Sequence, residues 1–142
     1  MTDSRTRTLH ALIRLRKTEV DRARAVLAQA MAEEHAAAAD VARCRAVIER
    51  EQREASCGQT SLDDFRLWLP AGEDAVKRAE QALHAARQVS DQARETLVRA
   101  NAVLKAAQTI LDRRLEDERE ARGRREQAEI DDLSRRNNIA AA

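Results

Sequence analysis

The 142 residues carry 26 Lys and Arg against 25 Asp and Glu, so the chain as a whole has no strong pull on nucleic acid or an anionic membrane. With 36% charged residues, one Phe, one Trp, no Tyr, three Gly and one Pro, it lacks the aromatic bulk that fills a globular core of this length; a long-helix or coiled-coil class fits better. No apolar run approaches the roughly 20 residues that span a bilayer, and Met1 to His10 lacks the apolar centre of a secretory signal, so a soluble, cytoplasmic protein without direct membrane insertion is expected.

In chain order, the first segment runs from Leu9 to about Ala55 and repeats every seven residues. Its a positions are Ile13, Val20, Leu27, Glu34, Val41, Ile48 and Ala55; its d positions are Leu9, Arg16, Ala23, Ala30, Ala37, Cys44 and Glu51. A later segment, Val76 to Leu111, does the same, with Val76, Leu83, Ser90, Leu97, Leu104 and Leu111 at a and Ala79, Ala86, Ala93, Ala100 and Ala107 at d. Large residues sit mainly at a and small ones mainly at d, over enough heptads to signal a coiled coil.

That asymmetry chooses the pairing. In a parallel pair a meets a and d meets d, so bulky layers would alternate with alanine layers and no single helix spacing would suit both. In an antiparallel pair each layer joins one large residue to one small one, and packing is uniformly close. The register that matches a to d sets Leu27 against Ala93, Val20 against Ala100, Val41 against Ala79, Ala37 against Leu83 and Leu9 against Leu111. Its midpoint is Thr60, inside Cys57-Gly58-Gln59-Thr60-Ser61, where a Gly suited to ending a helix precedes a Ser suited to starting one. The expected fold is all-α: two long helices in an antiparallel coiled-coil hairpin with a short helical or irregular tip. Helix 1 is expected over about 5–56, the tip over about 57–72 with a short helix near 62–69, helix 2 over about 71–135 and a disordered tail over 136–142.

Arg16, Glu34 and Ser90 interrupt the seam; Arg16 can snorkel, and Glu34 can reach Arg87 across the edge. In the tip, Ser61 with Asp63 and Asp64 reads as a cap with an acidic first turn, and Pro70 as an interruption before the second long helix. Both aromatics of the chain, Phe65 and Trp68, fall here, as a cap on the hairpin or as an exposed patch for a partner. After Leu111 the seam dissolves into a densely charged run with Gly123 in its middle, and residues past about Arg119 have no partner within the chain. At the other end Arg5, Arg7, Arg14, Arg16, Lys17, Arg22 and Arg24 outnumber Asp3, Glu19 and Asp21, a local excess suited to an acidic partner surface.

Chemistry has little foothold. Cys44 and Cys57 are roughly 20 Å apart by helical rise, too far for a bridge. His10, His35 and His84 show no metal-ligand spacing with either Cys, and no Gly belongs to a phosphate-binding loop. No enzymatic activity, cofactor or metal is expected. Nucleic-acid binding through the N-terminal arginines is disfavoured by the near-zero net charge.

Two stretches carry a family resemblance. Leu9-x-x-Leu12-Ile13-x-Leu15-Arg16-Lys17-x-Glu19-Val20-Asp21-x-Ala23 matches at the start, and Arg125-Glu126-Gln127-Ala128-Glu129-Ile130-Asp131-Asp132-Leu133 looks like the E-Q-x-x-[LIM]-D-[DE] signature near the end. The whole chain resembles the FliJ-type stalk proteins of the flagellar type III export apparatus and their YscO-type virulence counterparts. That resemblance implies a non-enzymatic central stalk that binds the hexameric export ATPase and links it to the cytoplasmic part of the export-gate membrane protein, with export chaperones as further partners, peripheral to the inner membrane. It assigns the ATPase contact to the paired chain ends, with Arg14, Arg16, Lys17, Arg24, Arg119 and Arg122 as the candidate residues. It places the gate contact near the start of the second helix, where Trp68 takes the aromatic place, beside Phe65 and Ala75. The alternative is a generic coiled-coil scaffold or chaperone-like adaptor with no link to an ATPase.

Overall fold

The computed structural model describes residues 3–141. Among these residues there is no strand; α1 spans Ser4–Ser56 and α2 spans Leu62–Ala141. The chain divides into two compact units, Val20–Ala100 and Met1–Glu19 with Asn101–Ala142, called here the turn unit and the terminal unit.

In the turn unit the reversal between helices is local and fully bonded. Gly58 adopts a φ of 76°, which only glycine takes without strain. That residue lets Gln59 N–H donate to the Glu54 carbonyl at 3.0 Å and Gly58 N–H to the Ala55 carbonyl at 3.3 Å, a Schellman closure that satisfies carbonyls orphaned at the helix end. Four residues later α2 is under way, with Phe65 N–H donating to the Ser61 carbonyl at 3.0 Å and Asp63 and Asp64 in its first turn. The helices then run antiparallel: Arg45 meets Glu80 and, further from the turn, Glu34 meets Ser90.

Burial follows the heptad. The buried apolar residues of the turn unit are Val20 and Val41 at a and Ala23, Ala30 and Ala93 at d. Two other buried positions obey the same count, Ser90 at a and Gly72 one heptad before Ala79. Leu27, Leu83 and Leu97 are half-buried, because a single partner helix covers only one side of a large residue. Cys44, at a d position, is half-buried and unpaired. In the terminal unit Ile13, Ala107 and Leu111 form a buried cluster with Leu9, Leu12 and Leu104 packed on it. The expected register sets Leu9 opposite Leu111, and both belong to this cluster.

Three expectations about the second helix need correction. There is no separate helix over 62–69 and no new start near 71, since α2 is continuous from Leu62 with Pro70 inside it. An interior proline costs about 3 kcal/mol. Stopping and renucleating a helix costs about 4 kcal/mol at a nucleation constant near 10⁻³, plus the orphaned groups of two more ends, so propagation through Pro70 wins. The tail expected to be disordered over 136–142 is helical as far as Ala141, residue 142 lying outside the described residues. Adding residues to an existing helix is cheap, Ala140 and Ala141 favour it, and Arg136 pairs with Asp132 one turn earlier at 3.2 Å. Nor does the seam dissolve at Leu111: Arg114, Glu118 and Ala121 continue its count as half-buried positions, and only past Ala121 is every described residue exposed.

The alanine side of the seam sets the helix spacing, so enlarging it should hurt. Ala93→Leu is expected to lower stability by about 1–3 kcal/mol through overpacking, whereas Ala102→Leu at an exposed position should change it by less than about 0.5 kcal/mol. Thermal melts followed by circular dichroism would show equal midpoints for the two variants if the spacing were not set this way.

Candidate functional site

The terminal unit holds most of the candidate ATPase-binding residues. Arg14, Arg16 and Lys17 lie on α1 beside the Ile13–Ala107–Leu111 cluster, whereas Arg119 and Arg122 follow Glu118 on α2. Arg24 belongs to the turn unit, where it lies 3.8 Å from Asp21. Five of the six therefore belong to one unit and Arg24 to the other. Arg16 is committed locally: its Nη1 donates to Glu19 Oε2 at 2.9 Å, while its Nε is buried without an acceptor. Arg119 pairs with Glu116 at 3.2 Å. Arg14, Lys17 and Arg122 have no ion-pair partner among the described residues and are exposed, which makes them the most available of the six to a partner.

Between these cations lies a network that the apolar pattern did not show. Thr6, wholly buried, donates from Oγ1 to Glu118 Oε1 at 3.2 Å and accepts from Arg114 Nε at 3.1 Å. Arg114 also bonds Asp3 through Nη2 and stands 3.6 Å from Glu118. The signal was available as position, because counting back from Ile13 makes Thr6 an a residue and counting on from Ala107 makes Arg114 a d residue. Hydrophobicity alone hides such a layer. For the Asp3 carboxyl, desolvation works upward, but the hydrogen bond and charge of Arg114, with the Arg5 and Ser4 amides, outweigh it and hold the carboxyl below its ordinary value.

The candidate gate-binding residues lie in the turn unit. Phe65 and Trp68 are half-buried, with ring centroids 6.3 Å apart and planes tilted by 34°. Ala75 is half-buried two turns further on, and Leu67 beside Trp68 is 80% exposed. Gly72 has a specific use in this stretch of α2. A Cβ on it would stand 2.7 Å from Trp68 Cη2 and 3.0 Å from Cζ3, so the outer edge of the indole packs over a residue with no side chain.

No described group of three or more His, Cys, Asp or Glu residues is placed to hold a metal ion, and among the described residues no helix is long and apolar enough to cross a membrane. Paired helices on a small-residue seam, with no strand among the described residues, define a helical coiled-coil protein. A family model described as the flagellar FliJ protein matches residues 5–142. The chain belongs to the FliJ family, structural components of the flagellar export apparatus. No curated protein and no solved structure matches it.

Three variants examine this geometry. Thr6→Val removes the hydroxyl that links Arg114 to Glu118 and should cost about 1–3 kcal/mol, read as faster amide exchange over residues 4–12. Because the folded-state pKa of Asp3 is depressed, its contribution is complete above about pH 4, the ordinary carboxylate value, and is lost as pH falls through its lower folded value; the same exchange should accelerate there, and less so in Asp3→Asn. Gly72→Ala should lift the only Trp off the helix and shift its emission to the red; an unchanged spectrum would mean that the ring does not rest on Gly72.

Proposed function

We propose that the chain is a non-enzymatic central-stalk component of the export ATPase complex, cytoplasmic and peripheral to the membrane. In this reading the terminal unit binds the hexameric ATPase through Arg14, Lys17 and Arg122, with Arg16, Arg24 and Arg119 in supporting contacts made after they exchange their present partners. Phe65, Trp68 and Ala75 contact the cytoplasmic part of the export gate, and export chaperones are further partners.

The observation that carries the reading is the stretch of α2 past Ala121. It stays helical to Ala141 with every described residue exposed, and it carries Ile130, Leu133 and Ile139 at 56%, 58% and 71% exposure. A helix that presents large apolar residues to water with no partner in its own chain is suited to a partner from another chain. Membership of an export-apparatus family supports another component of that apparatus as the partner. Binding by such a surface can act on an ATPase only by favouring some of its states over others, with no reaction of its own.

ATP hydrolysis by the cognate export ATPase would be measured with the full chain, with a chain ending at Ala121, and with Arg14, Arg16 and Lys17 all replaced by Glu. The truncation point keeps the Thr6–Arg114–Glu118 network, so the shortened protein should remain folded. Stimulation by the full chain, lost in the truncation and reduced about tenfold or more in the charge reversal, is the expected result. Stimulation that survives both changes would remove the chain ends from the contact. No stimulation and no co-sedimentation with the ATPase would favour the scaffold reading instead.

A further inference from the structure

Two paired helices cover the a and d positions of each heptad and leave the flanking e and g positions at the edge of the seam. In the turn unit the two edges differ in chemistry. On the e edge the helices exchange charge, Arg45 with Glu80 at 2.7 Å, and Arg87 with the seam carboxylate Glu34 at 3.8 Å. On the g edge α2 presents Ala82, Val89 and Thr96, and a groove joins Val89 to Val26 and Ala30 of α1. Val26 is 58% and Val89 49% exposed.

The c positions, one step further round α2, are Arg78, Ala85, Gln92 and Arg99, all exposed. Over these three heptads the g and c positions of α2 hold no acidic residue, and an arginine closes each end. Arg78 has no ion-pair partner among the described residues, and Arg99 lies 3.5 Å from Glu95 with both side chains largely in water. Of the acids that α1 brings to the same edge, Asp40 is paired with Arg43, and Glu33, which lines the groove, keeps its charge while accepting from Gln29 Nε2 at 3.0 Å, which confines a partner's carboxylates to the arginines at the two ends.

We propose that this face, distinct from both the chain ends and the Phe65–Trp68 pair, docks an acidic amphipathic helix from a partner protein. Its apolar side seats on Val26, Ala82 and Val89, and carboxylates flanking that side meet Arg78 and Arg99. Charge complementarity selects the occupant. A second copy is the wrong chemistry, because a symmetric antiparallel pairing through this face centres near Val89 and sets Arg78 against the other copy's arginine at position 99, repulsive at both ends. The separation of the two arginines along α2, about 30 Å at 1.5 Å per residue, fixes the length of the docked helix at three heptads.

The test titrates the full chain into a fluorescein-labelled peptide of about 28 residues, four heptads, with leucine at its apolar positions and glutamate flanking them, and into a counterpart with lysine in place of glutamate, read by fluorescence anisotropy. The glutamate peptide should bind and the lysine peptide should not. Both Val89→Glu and the double variant Arg78→Glu, Arg99→Glu should weaken binding about tenfold or more. These residues are exposed, so circular dichroism should show the helix content unchanged. Equal binding of both peptides, or of neither, overturns the proposal. So does sedimentation showing that the chain alone self-associates through a contact that Val89→Glu breaks.

Discussion

Everything in this chain depends on the fit of a large residue on one helix to a small one on the other. Alanine at d brings the backbones close, and valine, isoleucine or leucine at a fills the space that remains, as Ile13 does with Ala107. An alanine contributes little apolar area, so the gain per layer is small and dispersion across a uniformly short gap has to supply much of it. Close approach also removes the room in which a stray polar group could keep its water. Each polar residue on the seam must therefore find a partner in the protein.

Ser90 and Thr6 show how that requirement is met. Both hydroxyls are wholly buried and both bond a carboxylate of the seam, Ser90 to Glu34 at 2.7 Å and Thr6 to Glu118 at 3.2 Å, with an arginine completing each group. A slip of one heptad would keep large residues opposite small ones almost everywhere, so the apolar pattern alone is weak at choosing among registers. It would, however, separate Ser90 from Glu34 and leave the hydroxyl only its bond to the Arg87 carbonyl of its own helix at 3.2 Å, a loss of about 1.5–3 kcal/mol for a hydrogen bond to a charged group. Polar layers of this kind set alignment at the expense of some burial, the use of buried polar groups best attested in paired helices.

The heptad was legible because a period of seven survives substitution at single positions. All-helical character, the large and small sides of the seam and the glycine at the turn each had a local cause that could be read from spacing. The tip was misread because Pro70 was judged by what it does to an isolated helix, without the cost of starting a second one. The layer at Arg114 and Glu118 was missed because those residues were read for polarity and not for position. Legibility was lowest for the site. Residues that form a charge cluster in sequence are spread round the helix by its 3.6-residue turn, so Arg14 and Arg16 meet different surroundings, one in water and one tied to Glu19. Trp68 was legible as the aromatic of the region, but its platform was not, since a glycine shows as a break until a ring is found lying on it.

The Schellman turn at Gly58 has a consequence beyond satisfying two carbonyls. Residues 57–61 are the only interior stretch of the described chain outside a helix. By joining the helices through so short a link they turn an association between two molecules into one within a single molecule, which for a short linker corresponds to an effective concentration of about millimolar. A seam built from alanines needs that help. Two separate helices of this composition would pair only when crowded together, whereas a five-residue link keeps each within reach of the other at any dilution, so a stretch with few contacts of its own governs whether the contacts of its neighbours form at all.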